Sequence, residues 1–208
     1  MQIESANKEQ THEILSQIKK RWSPREFDPA KNISPAQISL LFEAARWAPS
    51  SFNDQPWNFI IVTKDNPEQF KKILTLLTEG NKTWAENASA LILTVASLRS
   101  SRDGSENFHA LYDLGASVTN LSLQAVELNI YVHQIGGFYH DKAKMAFQLD
   151  EDYLPVSVLA LGYLPESESF KERKERLLTK RKRKSLNEFV FRNNWGNPFF
   201  EMNDFQQN

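Results

Sequence analysis

Two short stretches of this sequence concentrate side chains able to hold a charged, polar-edged ligand. The first is RWSPR at 21–25. It sets the guanidiniums of Arg21 and Arg25 four residues apart, with the Ser23 hydroxyl between them. Pro24 disfavours helix at the residue before it, so the segment reads as a fixed loop just beyond a helix. A guanidinium fork matches phosphate geometry, and charged hydrogen bonds are about twice as strong as neutral ones. Surface loops also carry this spacing with no ligand, so the pair alone does not decide. The second stretch is APSSFNDQPWNF at 48–59. It packs two serines, Asn53, Gln55 and two prolines into one turn between an apolar helix pattern and a strand. An ordinary helix-to-strand loop needs far less. Proline removes loop entropy before binding, so the turn reads as a set of pre-positioned donors and acceptors.

Other chemistries are poorly served. The chain has no cysteine, which excludes thiol nucleophiles, disulfides and thiolate zinc sites. His133, His140 and Asp141 are too loosely spaced to argue for a metal, and ordinary loop histidines are the simpler reading. No convincing nucleophile triad or carboxylate pair is present, so no catalytic side chain and no metal ligand is assigned. The glycines stand at 80, 104, 115, 136, 137, 162 and 196. None forms GxGxxG after a strand or a P-loop, so a phosphate would have to be held by side chains.

Length and composition suit a single globular domain over 1–208. The 208 residues are 40% hydrophobic and 12% aromatic, with no Pro/Gly/Ser-rich divider. The N-terminus lacks an apolar signal core and no apolar run approaches a membrane span, so a soluble cytoplasmic protein without a membrane partner is expected. Net charge is −1, yet 171–185 holds nine Lys/Arg against two Glu. That run reads as a solvated helix face, a flexible tail, or cations gripping a small anion. A nucleic-acid contact lacks a second basic segment or an RNA-type aromatic motif, and no nucleic-acid partner is expected.

The elements that must position these groups alternate. Helical spacing marks 11–21. Ser34-Pro35-Ala36-Gln37 is a capping box opening a helix with Ile38, Leu41, Phe42 and Ala45 on one face. A strand follows at 57–64, then a helix from Asn66-Pro67-Glu68-Gln69 carrying Phe70, Ile73, Leu74 and Leu77. Residues 90–98 form a buried strand. The longest helix spans about 107–129, and its apolar residues nearly encircle it, which predicts burial in a core or against a second subunit. Gly115, Ala116 and Ser117 permit close packing there. Asp113 and Tyr112 are placed to touch a substrate, with helix-surface or interface roles the simpler reading. Strands at 130–133 and 156–163 complete an α/β or α+β sandwich.

In this order, RWSPREF, EAARWAPSSFNDQPW and a strand resemble the opening of the FMN-dependent nitroreductase family. The resemblance continues through Asn81 before NASALILTV, IGGF at 135–138, VSVLALGYLP at 156–165 and RKSLNEFV at 183–190. It covers essentially the whole chain, and PSSxNxQPW is its specific part. It implies an α+β fold with a central, mostly antiparallel sheet flanked by helices. It also implies a homodimer with two interfacial FMN sites and a C-terminal extension wrapping the partner.

The resemblance further implies roles. Pro49, Ser50, Ser51 and Asn53 would reach the partner's FMN, while Gln55, Pro56 and Trp57 lock the turn. Arg21 and Ser23 would hold phosphate and ribityl, with Trp22 contributing backbone, and Arg25 would lie near the ring's pyrimidine edge. Gly136 and Gly137 resemble the loop whose N–H points at flavin N5, the first standing where relatives often carry a larger residue. Arg181 and Arg183, just before a final strand signal, match C-terminal phosphate cations. Asn81 is carried over to the ring. Trp84 stands where some relatives have lysine, with Lys82 as the substitute. The implied activity is ping-pong NAD(P)H oxidoreduction through FMN, with a nitroaromatic, quinone or related conjugated small molecule as acceptor. The alternatives are a flavin-binding protein with a specialised or non-enzymatic role and, more distantly, a nucleic-acid contact through 171–185.

Overall fold

The computed structural model describes residues 14–200, and the elements below are those of the described residues. By contact the chain falls into two compact units. One is Leu15–Pro165; the other includes Ile14 and 166–200.

The larger unit opens with α1 (Ser16–Lys20), shorter than the helix expected over 11–21, of which residues 11–13 lie outside the described residues. The loop at 21–34 leads into α2 (Pro35–Arg46). Its capping box is as read from sequence: the Ser34 hydroxyl accepts from Gln37 N–H at 3.3 Å, and the Gln37 side chain accepts from Ser34 N–H at 3.1 Å. Next come β1 (Trp57–Thr63) and α3 (Pro67–Leu74), where Asn66 accepts from Gln69 N–H at 3.2 Å. α4 (Glu79–Ala85), β2 (Ala90–Ser97) and α5 (Ala110–Glu127) follow. The unit closes with β3 (Tyr131–Ile135), α6 (His140–Phe147) and β4 (Tyr153–Gly162). Sequence reading gave neither α4 nor α6, both short and mixed in polarity.

The four strands form one antiparallel sheet in the order β1-β2-β4-β3. Seven of the eight residues of β2 are buried, as a strand covered on both faces requires. On one face Leu91, Leu93, Val95, Val158 and Ala160 pack with Phe70, Ile73, Trp84 and Ala143. On the other, Ala90, Ile92, Ala96, Leu159 and Leu161 meet Leu41 and Ala45 of α2 and Leu114, Val118 and Leu121 of α5. The fold is α+β.

Register places the 49–56 turn and the Gly136–Gly137 loop. Trp57, first in β1, pairs with Ala96, and Ala96 with Leu154 near the start of β4. Ile135, last in β3, pairs with Val158, so the chain leaving β3 heads toward that same sheet end. The 49–56 turn and Gly136–Gly137 thus share an end of the sheet but sit at opposite edges. Three strand spacings, about 14 Å, separate those edges.

Within its own chain α5 is buried along one face: Leu114, Val118, Leu121 and Ala125 are buried, whereas Leu111 and Tyr112 are 50% and 80% exposed. Of its small residues, Ser117 serves the same chain, donating to Ala45 O at 3.0 Å where α2 packs. Asp113, read as a surface or interface residue, is only 3% exposed.

In the smaller unit, α7 (Glu168–Thr179) is capped by Ser167 and carries the first part of the basic run. The strand expected after Arg183 is not formed. Ser185 and Glu188 instead make a capping box around a short 3-10 turn, Leu186–Glu188. Beyond it, Phe191 and Pro198 meet in an isolated bridge. Phe191 packs on Trp195 at 5.0 Å, and the Arg192 guanidinium lies 4.9 Å from the Phe199 ring. Among the described residues, no helix is long and apolar enough to cross a membrane.

Candidate functional site

The RWSPR loop is fastened to the edge strand β3. Nδ1 of His133 lies 2.7 Å from the carbonyl oxygen of Pro24 and therefore carries the hydrogen it donates. The His133 ring packs on Trp84 of α4 at 4.5 Å, and Trp22 meets Tyr131 edge to face at 6.3 Å. Burial holds the imidazole below its ordinary pKa of 6.5. The hydrogen bond to Pro24 opposes that shift, while the charge of Arg25 adds to it. Trp22 and Pro24 are buried, Arg21 is half-buried, and Ser23 and Arg25 are exposed. The loop thus buries an apolar anchor and presents two guanidiniums and a hydroxyl.

Gly137 and Asn81 form the adjoining part. The Gly137 carbonyl accepts from Thr78 N–H at 3.0 Å, from the Thr78 hydroxyl at 3.1 Å and from Asn81 Nδ2 at 3.1 Å. A Cβ on Gly137 would stand 2.6 Å from Asn81 Nδ2, so only glycine fits this clamp. A Cβ on Gly136 would meet nothing within 4 Å, leaving the backbone there approachable. Lys82, the suggested substitute cation, is paired with Glu79.

The 49–55 turn is anchored elsewhere. Ser51 N–H donates to Asp113 Oδ2 at 3.0 Å, tying the turn to α5. Asp54 accepts from Ser101 N–H at 2.8 Å, from the Ser101 hydroxyl, and from Asn107 Nδ2 at 2.9 Å. The Ser101 hydroxyl in particular holds that carboxyl below the usual range. Within the turn, Gln55 N–H donates to the Ser50 hydroxyl at 3.0 Å, and at its exit Ser97 N–H donates to Pro56 O at 2.8 Å. Phe52, Asn53 and Gln55 have φ of 53°, 58° and 50°, a left-handed backbone that costs energy for residues bearing side chains. The Phe52 ring is 77% exposed, with the Arg102 guanidinium 4.0 Å from its centre. Pro49 and Asn53 are exposed and Ser50 and Ser51 half-buried.

The structure therefore brings Arg21, Trp22, Ser23, Arg25, Asn81, Gly136 and Gly137 to one sheet edge, and Pro49, Ser50, Ser51 and Asn53 to the other. Arg181 and Arg183 belong to the smaller unit, in an exposed stretch between α7 and the 3-10 turn. His140 is remote from His133 in role, its Nδ1 bonding Pro155 O at 3.0 Å. Sequence reading missed the functions of His133, Thr78, Asp54 and Asp113 as anchors of these loops.

The residues present suit a flat, phosphate-bearing cofactor. Guanidiniums and a hydroxyl supply the donors for an anion. The Trp22 indole N–H beside them is buried without a protein hydrogen-bond partner among the described residues. The backbone at Gly136 is open to close approach.

Comparisons with known proteins agree. The Nitroreductase family model matches residues 18–83, a span holding both stretches and Asn81. A protein of Archaeoglobus fulgidus, named for NADH dehydrogenase/NAD(P)H nitroreductase activity, is 30% identical over 168 residues, covering 79% of this chain and 92% of that protein. An uncharacterised 15.4 kDa protein of Mycolicibacterium smegmatis is 33% identical over 135 residues, 63% of this chain and 87% of that one. A crystal structure described as an oxidoreductase containing FMN superposes with a TM-score of 0.81 at 27% identity, covering 94% of this chain and all of the other. The chain belongs to the nitroreductase family, whose members use FMN with NAD(P)H.

Proposed function

We propose that this chain is an FMN-dependent NAD(P)H oxidoreductase working as a cytoplasmic homodimer, with each FMN held by both subunits. The observation that carries the reading is the placement of two donor-rich loops at opposite edges of one sheet, about 14 Å apart by strand spacing. Each suits one side of a flat ligand, so a second copy, turned to face the first, completes the set. Each loop is held by its own set of anchors, Pro24 by His133 and the 49–55 turn by Asp113 and Asp54, which supports this division of labour.

FMN, when bound, would supply the redox chemistry of a ping-pong cycle between NAD(P)H and a nitroaromatic, a quinone or a related conjugated acceptor, with N5 as its hydride-carrying atom. The protein's part is position and electrostatics. Arg21 would hold the phosphate, and Ser23 and the Trp22 backbone the ribityl chain; Arg181 and Arg183, in the smaller unit, are proposed separately as phosphate cations. Arg25 would set positive charge near the pyrimidine edge, where reduction places negative charge. Gly136 and Gly137 would offer backbone to N5, with Asn81 bracing the Gly137 carbonyl. From the partner come Pro49, Ser50, Ser51 and Asn53. No side chain is needed as nucleophile or general base. In the smaller unit the exposed rings of Phe189 and Trp195 are available to cover a neighbouring subunit.

The test is direct. Freshly purified protein should be yellow and release FMN, identified by mass spectrometry, on denaturation. Colourless protein that also fails to take up added FMN contradicts the proposal.

A further inference from the structure

We propose that Asp113 is a positioning residue that acts across the subunit boundary, holding the strained 49–55 turn in the shape that the partner's FMN requires. The inference rests on the reading above, in which this turn touches FMN bound chiefly by the other subunit.

Asp113 is 3% exposed, and a buried carboxylate is costly unless its charge is met. It stands in the first turn of α5, where the helix dipole favours an anion. Its oxygen accepts from the amide of Ser51 at 3.0 Å. Ser51 is the first residue of the short 3-10 turn Ser51–Asn53, and the left-handed residues Phe52, Asn53 and Gln55 follow it at once. A bulky aromatic is especially ill suited to that backbone region. Three such residues in four positions persist only where the surroundings over-determine them.

The surroundings do so with two carboxylates. Asp113 grips the entry of the turn, and Asp54 grips its exit through Ser101 and Asn107. Between these grips lie Phe52 and Asn53, both exposed. The two anchors differ in rigidity. Asp54 ties the turn to another loop, whereas Asp113 sits on a long helix whose neighbours Leu114, Ser117 and Val118 are buried. A group on a packed helix fixes geometry more closely than one on a loop. Asp113 therefore sets where the Ser51–Asn53 backbone lies relative to the sheet.

The test compares FMN affinity of wild type, Asp113→Ala and Asp113→Asn by fluorescence titration of FMN-free protein. Asparagine keeps an oxygen that can accept from the Ser51 amide. Alanine should weaken binding by about tenfold or more, and asparagine by less than about threefold. Should Asp113→Ala not fold, Asp113→Ser, whose hydroxyl ends one atom short of the carboxylate oxygen, takes its place with the same expectation. A second readout separates positioning from general structural support. Mixing Asp113→Ala with Arg21→Ala subunits should restore FMN occupancy at one site per heterodimer, because both lesions fall on the other site. Wild-type affinity in the alanine or serine variant overturns the proposal, as does a lack of recovery after proven subunit exchange. Either result leaves the proposed FMN function standing if wild type binds FMN. Failure of wild type itself to bind FMN overturns both.

Discussion

His133 donates from Nδ1 to the carbonyl of Pro24 at 2.7 Å, joining an edge strand to the loop that carries Arg21, Ser23 and Arg25. Burial, reinforced by the nearby charge of Arg25, holds its pKa below 6.5 despite that bond. The folded chain then binds fewer protons at this site than the unfolded chain does as pH falls below 6.5. Stability from this group is accordingly intact above 6.5 and declines as pH falls from there toward the folded-state pKa. Urea unfolding at graded pH should show that decline in wild type and a smaller one in His133→Asn, which keeps a donor for Pro24 but does not titrate. His133→Ala should cost about 1–3 kcal/mol at neutral pH.

Gly137→Ala forces a Cβ to 2.6 Å from Asn81 Nδ2, so Asn81 must leave the Gly137 carbonyl. A loss of about 1–2 kcal/mol is expected in thermal or chemical unfolding. Asn81→Ala removes the clashing atoms in advance, so the double variant should be more stable than the sum of the two losses predicts. Gly136→Ala, with open space at its Cβ, should leave stability nearly unchanged.

The arginines should separate by role. Arg21→Ala and Arg183→Ala should each weaken FMN binding by about 1.5–3 kcal/mol, the worth of a hydrogen bond to a charged group. Arg25→Ala should mainly lower the flavin reduction potential, because a cation there favours the reduced form. Fluorescence titration and equilibrium dye reduction measure the two effects independently.

Light scattering of the FMN-loaded protein at micromolar concentration should give twice the chain mass of 24.0 kDa. Mixing Arg21→Ala with Asn53→Ala subunits should partly restore FMN occupancy, since heterodimers gather both lesions at one site. Restoration would place Asn53 in the partner's site; its absence after proven exchange would place the turn beside its own chain's cofactor.

Much of this was legible in local sequence. Ser34 with Gln37, and Asn66 with Gln69, announce helix starts because both partners of each cap lie within one turn. The apolar run 90–98 announces a strand buried on both faces. The order of RWSPREF, PSSFNDQPW and IGGF likewise marks the family. What escaped depends on partners distant in sequence. Ser51 and Asp113 are 62 residues apart and meet through a backbone amide, which leaves no side-chain pair to notice. His133 binds the Pro24 carbonyl across 109 residues in the same way. The left-handed turn at Phe52 carries no glycine to signal it, because tertiary anchors override the local preference. The core of the chain accounts for only one face of α5, since Leu111 and Tyr112 face out of the chain. The strand read after Arg183 gave way to a 3-10 turn closed by Ser185 and Glu188.

The central claim is that this chain relays hydride from a nicotinamide to an acceptor through FMN that it binds. Anaerobic stopped-flow mixing tests it most directly. NADH or NADPH should bleach the oxidised-flavin absorbance of the purified protein in a first mix, and a quinone or nitroaromatic in a second mix should restore it. Flavin that stays oxidised under excess NADH and NADPH, in protein shown to carry FMN, would contradict the account and leave a flavin-binding protein without this activity.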